Sequence, residues 1–286
     1  MTDLNKSQIT EKLVDYVSRY ESQNKAANSL KRVSVATISQ ILNHNWDLIS
    51  DEMWRSIAAQ IGWSEKEWIS VETKDYKLFT ALLTDAQENS NVFAVTGEAG
   101  TGKTFTIKNY TELHKRVYSL PCAEFWNRRV FMQELLNAMG VDYSGYNVNE
   151  MIYEVVRHLK KQVKPLIILD EADKLPDPVL YFFITLYNQL EGHCGIVLVA
   201  TDHLAKRIRR GLKLNKKGYK EIYSRIGRKF IELAGPSASD IAAICMANGI
   251  LDKATIKDVI SDSENDLRRV RRKIHAIKNI GNGTEN

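Results

Sequence analysis

The chain has 286 residues, 44% of them apolar and 26% charged, with a formal net charge of +5. That balance predicts a packed α/β domain of ordinary size with one or two small helical modules, and it excludes a chain too polar to fold. No stretch approaches the ~20 consecutive apolar residues of a membrane span, and the first ten residues have neither the basic start nor the apolar run of a secretory signal, so a cytoplasmic protein with no membrane partner is expected.

Residues 1–70 read as short helices. Ile9, Leu13, Val14, Val17 and Tyr20 recur at helical spacing, and Ala26, Ala27 and Leu30 mark a second helix. Ser34 has the place of an N-cap for a third, with Ile38, Ile41 and Leu42 inward. A fourth runs from Asp51 to Ile61 and stops at Gly62. Trp46, Trp54, Trp63 and Trp68 lie in or beside this section and are expected in a small core.

Residues 71–233 alternate apolar runs with helical patterns. Asn91–Thr96, Arg116–Pro121, Leu166–Asp170, Gly195–Thr201 and Phe230–Leu233 read as strands. Lys103–His114, Arg129–Met139, Glu150–Lys161 and Val179–Leu190 read as helices. Continuous apolar runs such as Leu166–Asp170 suit strands buried on both faces, so the fold class is α/β, a parallel sheet with helices on both sides. Gly235-Pro236-Ser237 marks a break before a helical section, 234–281; residues 282–286 are expected to be a disordered tail. Cys122, Cys194 and Cys245 are far apart and odd in number, which predicts free thiols.

Gly97-Glu98-Ala99-Gly100-Thr101-Gly102-Lys103-Thr104 fits the phosphate-loop pattern G-x-x-x-x-G-K-[ST], between an apolar run and an amphipathic helix that continues with Phe105. The glycines let backbone N–H groups point at phosphates, and the helix presents its positive end to the same charge. Lys103 would reach the β- and γ-phosphates and Thr104 would ligate Mg²⁺, so ATP with Mg²⁺ is the expected ligand. Leu166-Ile167-Ile168-Leu169-Asp170-Glu171 is an apolar strand ending in two acids. In nucleotidases with this loop an acid at that place holds Mg²⁺; Glu171 could polarise the attacking water.

With these elements in this order the chain resembles the AAA+ ATPases. The resemblance implies that Thr201, closing its strand, is the sensor 1 residue that orients the water. Tyr223-Ser224-Arg225-Ile226-Gly227-Arg228 is similar to the segment carrying the arginine finger, with Arg225 preferred to Arg228. Asp266-Leu267-Arg268 is similar to the sensor 2 pattern, which would turn Arg268 towards the γ-phosphate. A finger of this kind completes a neighbour's site, so self-association into a ring or helical filament is implied.

Charge is unevenly spread. Residues 1–70 hold eight Lys/Arg against nine Asp/Glu, whereas residues 203–230 hold eleven against Glu221 alone. Lys206, Arg207, Arg209, Arg210, Lys213, Lys216, Lys217 and Lys220 could form a basic loop that tracks a duplex DNA backbone without reading sequence, or a solvated helix face. Arg128 and Arg129, after Trp126 and Asn127, are a second DNA-contact candidate. The N-terminal section resembles a phage-repressor helix-turn-helix through Gln23, Ala27, Val33, Ser34, Ile38 and Ser39, which would leave Thr37 and Gln40 free to touch base edges. One extra residue sits in its turn, Lys31 and Arg32 occupy the place of the usual glycine, and near neutrality weakens a tight sequence-reading role.

Domain order over residues 10–275 is similar to the phage Mu B transposition proteins. That likeness implies a phage- or mobile-element-encoded ATPase that selects target DNA and delivers it to a transposase. A helicase loader or replication initiator, and an ATP-gated helix-turn-helix transcription regulator, are the alternatives.

Overall fold

The computed structural model describes residues 3–63 and 68–283. Four helices open the chain: α1 (Asp3–Ser18), α2 (Gln23–Ser29), α3 (Val35–Leu42) and α4 (Asp51–Ile61). The Ser22, Ser34 and Ser50 hydroxyls each accept an amide of the following first turn, which satisfies a donor the helix cannot. Ile9, Leu13, Ile38, Ile41, Trp54 and Ile57 are fully buried together. Trp46 packs edge-on against Trp54 and Trp63 joins the cluster, as expected. Trp68 does not; it packs with the C-terminal helices instead. In the turn between α2 and α3 Arg32 takes a left-handed φ of 59°, the conformation a glycine would adopt at less cost.

The central unit is a five-stranded parallel sheet. Helix α5 (Lys74–Asn89) leads into β1 (Val92–Gly97), followed by α6 (Lys103–Leu113), β2 (Val117–Pro121), α7 (Arg128–Ala138), α8 (Val148–Lys160) and β3 (Leu166–Asp170). Then come α9 (Asp177–Leu180), α10 (Phe182–Leu190), β4 (Gly195–Ala200), α11 (Asp202–Lys213), α12 (Tyr219–Arg225) and β5 (Ile231–Leu233). The strand order is β2-β3-β4-β1-β5, parallel throughout. Alternate strand residues serve opposite faces, as the period of two requires. Leu166, Ile168, Val197 and Val199 meet Phe79, Leu83 and Ile107 of α5 and α6. Ile167, Leu169, Ile196 and Leu198 meet the larger layer that includes α7, α8 and α10. Both faces are therefore dry, and the expected helix-flanked parallel sheet is observed.

Three helices follow: α13 (Ala238–Ala247), α14 (Lys253–Ser263) and α15 (Leu267–Gly283). Ser237 and Asp240 form a reciprocal capping box at the start of α13. Helix α15 includes residues 282 and 283, which corrects the expectation of a disordered tail from 282; residues 284–286 lie outside the described residues. The basic stretch 206–220, read as a loop or a solvated helix face, is α11 up to Lys213, a turn over 214–218 that carries Lys216 and Lys217, and the start of α12. Leu204, Ala205, Ile208 and Gly211 are buried at helical spacing, and that apolar stripe fixes the helix beneath its charges.

The N-terminal helices sit against the central unit. Gly140, at a φ of 66°, lets the α2 backbone approach so closely that a Cβ there would lie 2.3 Å from the Lys25 carbonyl oxygen. Nearby, buried His158 and Gln162 contact each other at 2.9 Å, and Gln162 bonds the Tyr118 hydroxyl. Burial, then the charge of Lys25, lowers the His158 pKa below 6.5. The folded state thus refuses a proton that the unfolded chain accepts, so stability should fall as pH drops through 6.5 and below. Melting at pH 7.5 and 5.5 checks this: the His158→Gln variant should lose less stability across that interval than the parent protein.

Candidate active site

Parallel strands place Gly97 at the carboxyl end of β1, Asp170 at that of β3 and Thr201 just past that of β4, all on one edge of the sheet. Ligands of open α/β sheets bind at this edge. Gly100 and Gly102 have φ of 84° and 93°, so the loop curls as only glycine does without strain, and Gly102 caps α6. The Lys103 ammonium donates to the Gly97 and Glu98 carbonyls, 2.7 Å each, inside the loop it would serve. Its pKa is lowered by burial, opposed by Asp170 and Asp173, with the Arg268 charge lowering it further.

Thr104 donates its hydroxyl to Asp170 Oδ2 at 2.8 Å. Loop and strand end are thus joined, and a hydroxyl and a carboxylate stand together as the hard oxygen pair Mg²⁺ takes. Burial pushes the Asp170 pKa up, against hydrogen bonds from Thr104 and the Glu171 amide. A divalent cation is the partner that would offset that burial. Glu171 has a left-handed φ of 57°, and Lys174 holds its carboxylate at 2.7 Å. Thr201 donates to Asp173 Oδ2 at 2.6 Å. Sequence reasoning passed over Asp173, because its role is a contact across 28 residues rather than a local pattern.

The helical lid reaches the loop directly. The Leu267 amide donates to the Gly100 carbonyl at 2.9 Å, and a Cβ on Gly100 would lie 2.2 Å from Asp266. Arg268 is exposed beside the loop, on the rim of a cavity of about 200 Å³ that Gly102, Thr104, Phe105, Trp68, Tyr76 and Arg271 also line. The Arg271 guanidinium lies over the Trp68 ring at 5.5 Å. This apolar, aromatic chamber beside a phosphate loop suits a nucleobase. Sequence reasoning gave Trp68, Tyr76 and Arg271 no part in a nucleotide site, because their only signal for it is their meeting in space.

The two finger candidates are elsewhere. Arg225 shares a cavity with Asn91, Val92 and Cys194, at the amino ends of β1 and β4, across the sheet from the loop. It donates to Asn188 Oδ1 at 2.7 Å and lies over the Tyr187 ring. Arg228 is exposed, with a φ of 57°.

Residues 86–208 match a family described as "AAA domain". The core has the AAA+ P-loop NTPase fold. Among solved structures, the AAA+ core is similar to RuvB of Thermotoga maritima, titled a Holliday junction branch migration motor: TM-score 0.46, 15% identity, covering 72% of this chain and 61% of that one. Two point variants of the same protein each give TM-scores of 0.49, at 13% and 14% identity, covering 74% of this chain and 63% of that one. This chain therefore spans less than two thirds of the length of those RuvB structures. No curated protein matches the sequence.

Around the AAA+ core most basic candidates are at the surface. Lys206, Arg209, Arg210, Lys213, Lys216, Lys217 and Lys220 are exposed, although Lys206 pairs with Asp202 and Arg209 lies over Phe230. Arg207 is the exception and corrects its reading as a DNA contact. Its side chain turns inward, pairs with Asp177, and donates to the carbonyls of Asp173 (3.2 Å) and Leu175 (2.7 Å) and to the Tyr219 hydroxyl (3.0 Å). Burial pushes the Asp177 pKa up, but hydrogen bonds from Tyr219 and Arg207 outweigh it and hold the carboxylate below its usual range. Arg207→Met strands that carboxylate and should cost about 2 kcal/mol of stability, read by denaturant unfolding, with duplex affinity of the folded variant unchanged.

Arg128 and Arg129 are exposed on the first turn of α7, Arg128 over the Phe182 ring. Trp126 is buried against Phe131, whereas Phe125 is 82% exposed and is the accessible aromatic of that segment. Thr37 and Gln40 are half-buried rather than free, and Thr37 shares its hydroxyl with Ser34. Among the described residues, no group of His, Cys, Asp and Glu could hold a further metal ion, and no helix is long and apolar enough to cross a membrane. The three cysteines are free and buried.

Proposed function

We propose that this chain binds ATP with Mg²⁺ on Gly97–Thr104, hydrolyses it, and assembles on duplex DNA as a Mu B-like target selector that recruits and activates a transposase. Thr104 and Asp170 would hold the cation, which supplies charge neutralisation at the β- and γ-phosphates. Glu171, released from Lys174, would orient the attacking water, with Thr201 and Asp173 fixing its other side. Arg268 would reach the nucleotide from the lid.

One observation carries the link to assembly. The chain's finger candidates stand at the end of the sheet opposite its own phosphate loop, so they can serve only a loop on another copy. Arg225 or Arg228 would then complete the neighbour's site, and nucleotide state, oligomerisation and DNA binding become one equilibrium. The exposed cations of α11 and α12, with Arg128, Arg129 and Phe125, would follow the DNA backbone without reading bases. The likeness in domain order, with the near-neutral N-terminal helices, supports a selector over a reader of operators.

Replacing Glu171 by Gln removes the base and keeps the fold. Glu171→Gln protein should bind ATP, turn over at least about 100-fold more slowly, and stay assembled on duplex DNA, where the parent protein dissociates as its ATP is hydrolysed. Sedimentation of DNA complexes checks this; full turnover by the variant would remove the role given to Glu171.

A further inference from the structure

A cavity lined by basic side chains lies where the N-terminal helices meet the central unit. It has a volume of about 230 Å³ and lies between the end of α1, the start of β2 and the end of α8, at the amino end of the sheet and away from the phosphate loop. Arg19, Lys25, Lys115 and Arg116 line it together with His114 and His158; Glu21 is the one acid among the lining residues. Glu21 is already committed, because Lys25 pairs with it. Its carboxyl pKa is held low by Lys25 first, and by Arg116 at longer range.

Arg19 is the decisive residue. Its guanidinium lies over the Tyr16 ring at 5.4 Å, and its Nε is fully buried with no hydrogen-bond partner. The residue itself is half-buried, but a buried N–H donor without an acceptor is costly, and native proteins rarely retain one unless something absent from the bare chain satisfies it. Lys115 and Arg116 are exposed at the cavity mouth and add charge without local acids to consume it.

We propose that this cavity binds a phosphate group, held by Arg19 with Lys115 and Arg116. A guanidinium fork flanked by further cations matches the tetrahedral, multiply charged oxyanion better than a carboxylate. The bound phosphate bridges α1 to β2 and so fastens the N-terminal helices to the ATPase core. The source is a free inorganic phosphate or pyrophosphate, or a backbone phosphate of bound DNA.

The test uses the full-length Lys103→Ala protein, in which the phosphate loop is disabled, with and without Arg19→Gln. Titration with inorganic pyrophosphate should raise the melting temperature of the Arg19 protein, and Arg19→Gln should weaken that binding about tenfold or more, the factor of one lost charge-assisted bond. In phosphate-free buffer Arg19→Gln should melt at the same temperature or higher, since it removes an unsatisfied buried donor. If DNA is the source, pyrophosphate gives no shift, while Arg19→Gln lowers duplex affinity about tenfold and reduces the salt slope by about one. Unchanged pyrophosphate and duplex binding in Arg19→Gln would overturn the proposal. So would a lower melting temperature in phosphate-free buffer, which would make Arg19 a packing residue.

Discussion

Arg225→Ala protein is expected to bind ATP normally and to lose DNA-stimulated turnover by roughly 10³-fold or more, the range of a missing arginine finger. Arg225 ends α12 and is held in place by Asn188 and Tyr187 of α10. Those contacts present it from a fixed helix, the rigidity a transition-state contact requires. Arg228, three residues on, is exposed and follows Gly227, so it is the freer of the two to reach across. Steady-state hydrolysis with saturating duplex DNA, measured for each single variant, separates them. If Arg228→Ala alone collapses turnover, the finger is Arg228, and Arg225 holds α12 to α10. Mixing an Arg225→Ala chain with a Lys103→Ala chain should restore part of the activity, because each defect lies in a different half of a shared site.

Lys103→Ala should weaken ATP binding about 100-fold or more, equivalent to about 2.7 kcal/mol. The ammonium sits within the loop at 2.7 Å from two carbonyl oxygens, a short swing from any phosphate cradled there. Burial already lowers its pKa, so its charge is poorly solvated and gains from an anion. Removing it should leave the fold intact, since β1 and α6 are held by Val95, Ile107 and Tyr110 rather than by the lysine. Calorimetric titration of ATP, with circular dichroism as the control, reads both parts. Assembly on DNA should disappear with binding.

The phosphate loop and the strand ending in Asp170 were legible in sequence because each is one contiguous segment whose chemistry needs particular residue types in order. The sheet was legible for a similar reason: strands buried on both faces are unbroken apolar runs. Helix α5 went unread although Phe79, Leu83 and Ala86 have helical spacing, because Leu78, Ala81 and Leu82 beside them blur the one-sided pattern. Loop and solvated helix face stayed open for the stretch that forms α11, because its charges outnumber its buried stripe. Trp68 was assigned to the wrong core, since nothing local distinguishes a tryptophan that packs backwards from one that packs on residues about 170 or more positions further along the chain. The bond from Thr201 to Asp173 and the inward turn of Arg207 depend on pairs that only the folded chain brings together.

The most direct measurement is electron microscopy of the purified protein with random-sequence duplex DNA, in Mg²⁺, with and without ATP. A nucleotide site completed by a neighbour predicts regular filaments or rings on duplex DNA with ATP, and none without it or with Lys103→Ala protein. Equal DNA coverage with and without ATP, or isolated monomers on DNA under both conditions, would contradict it.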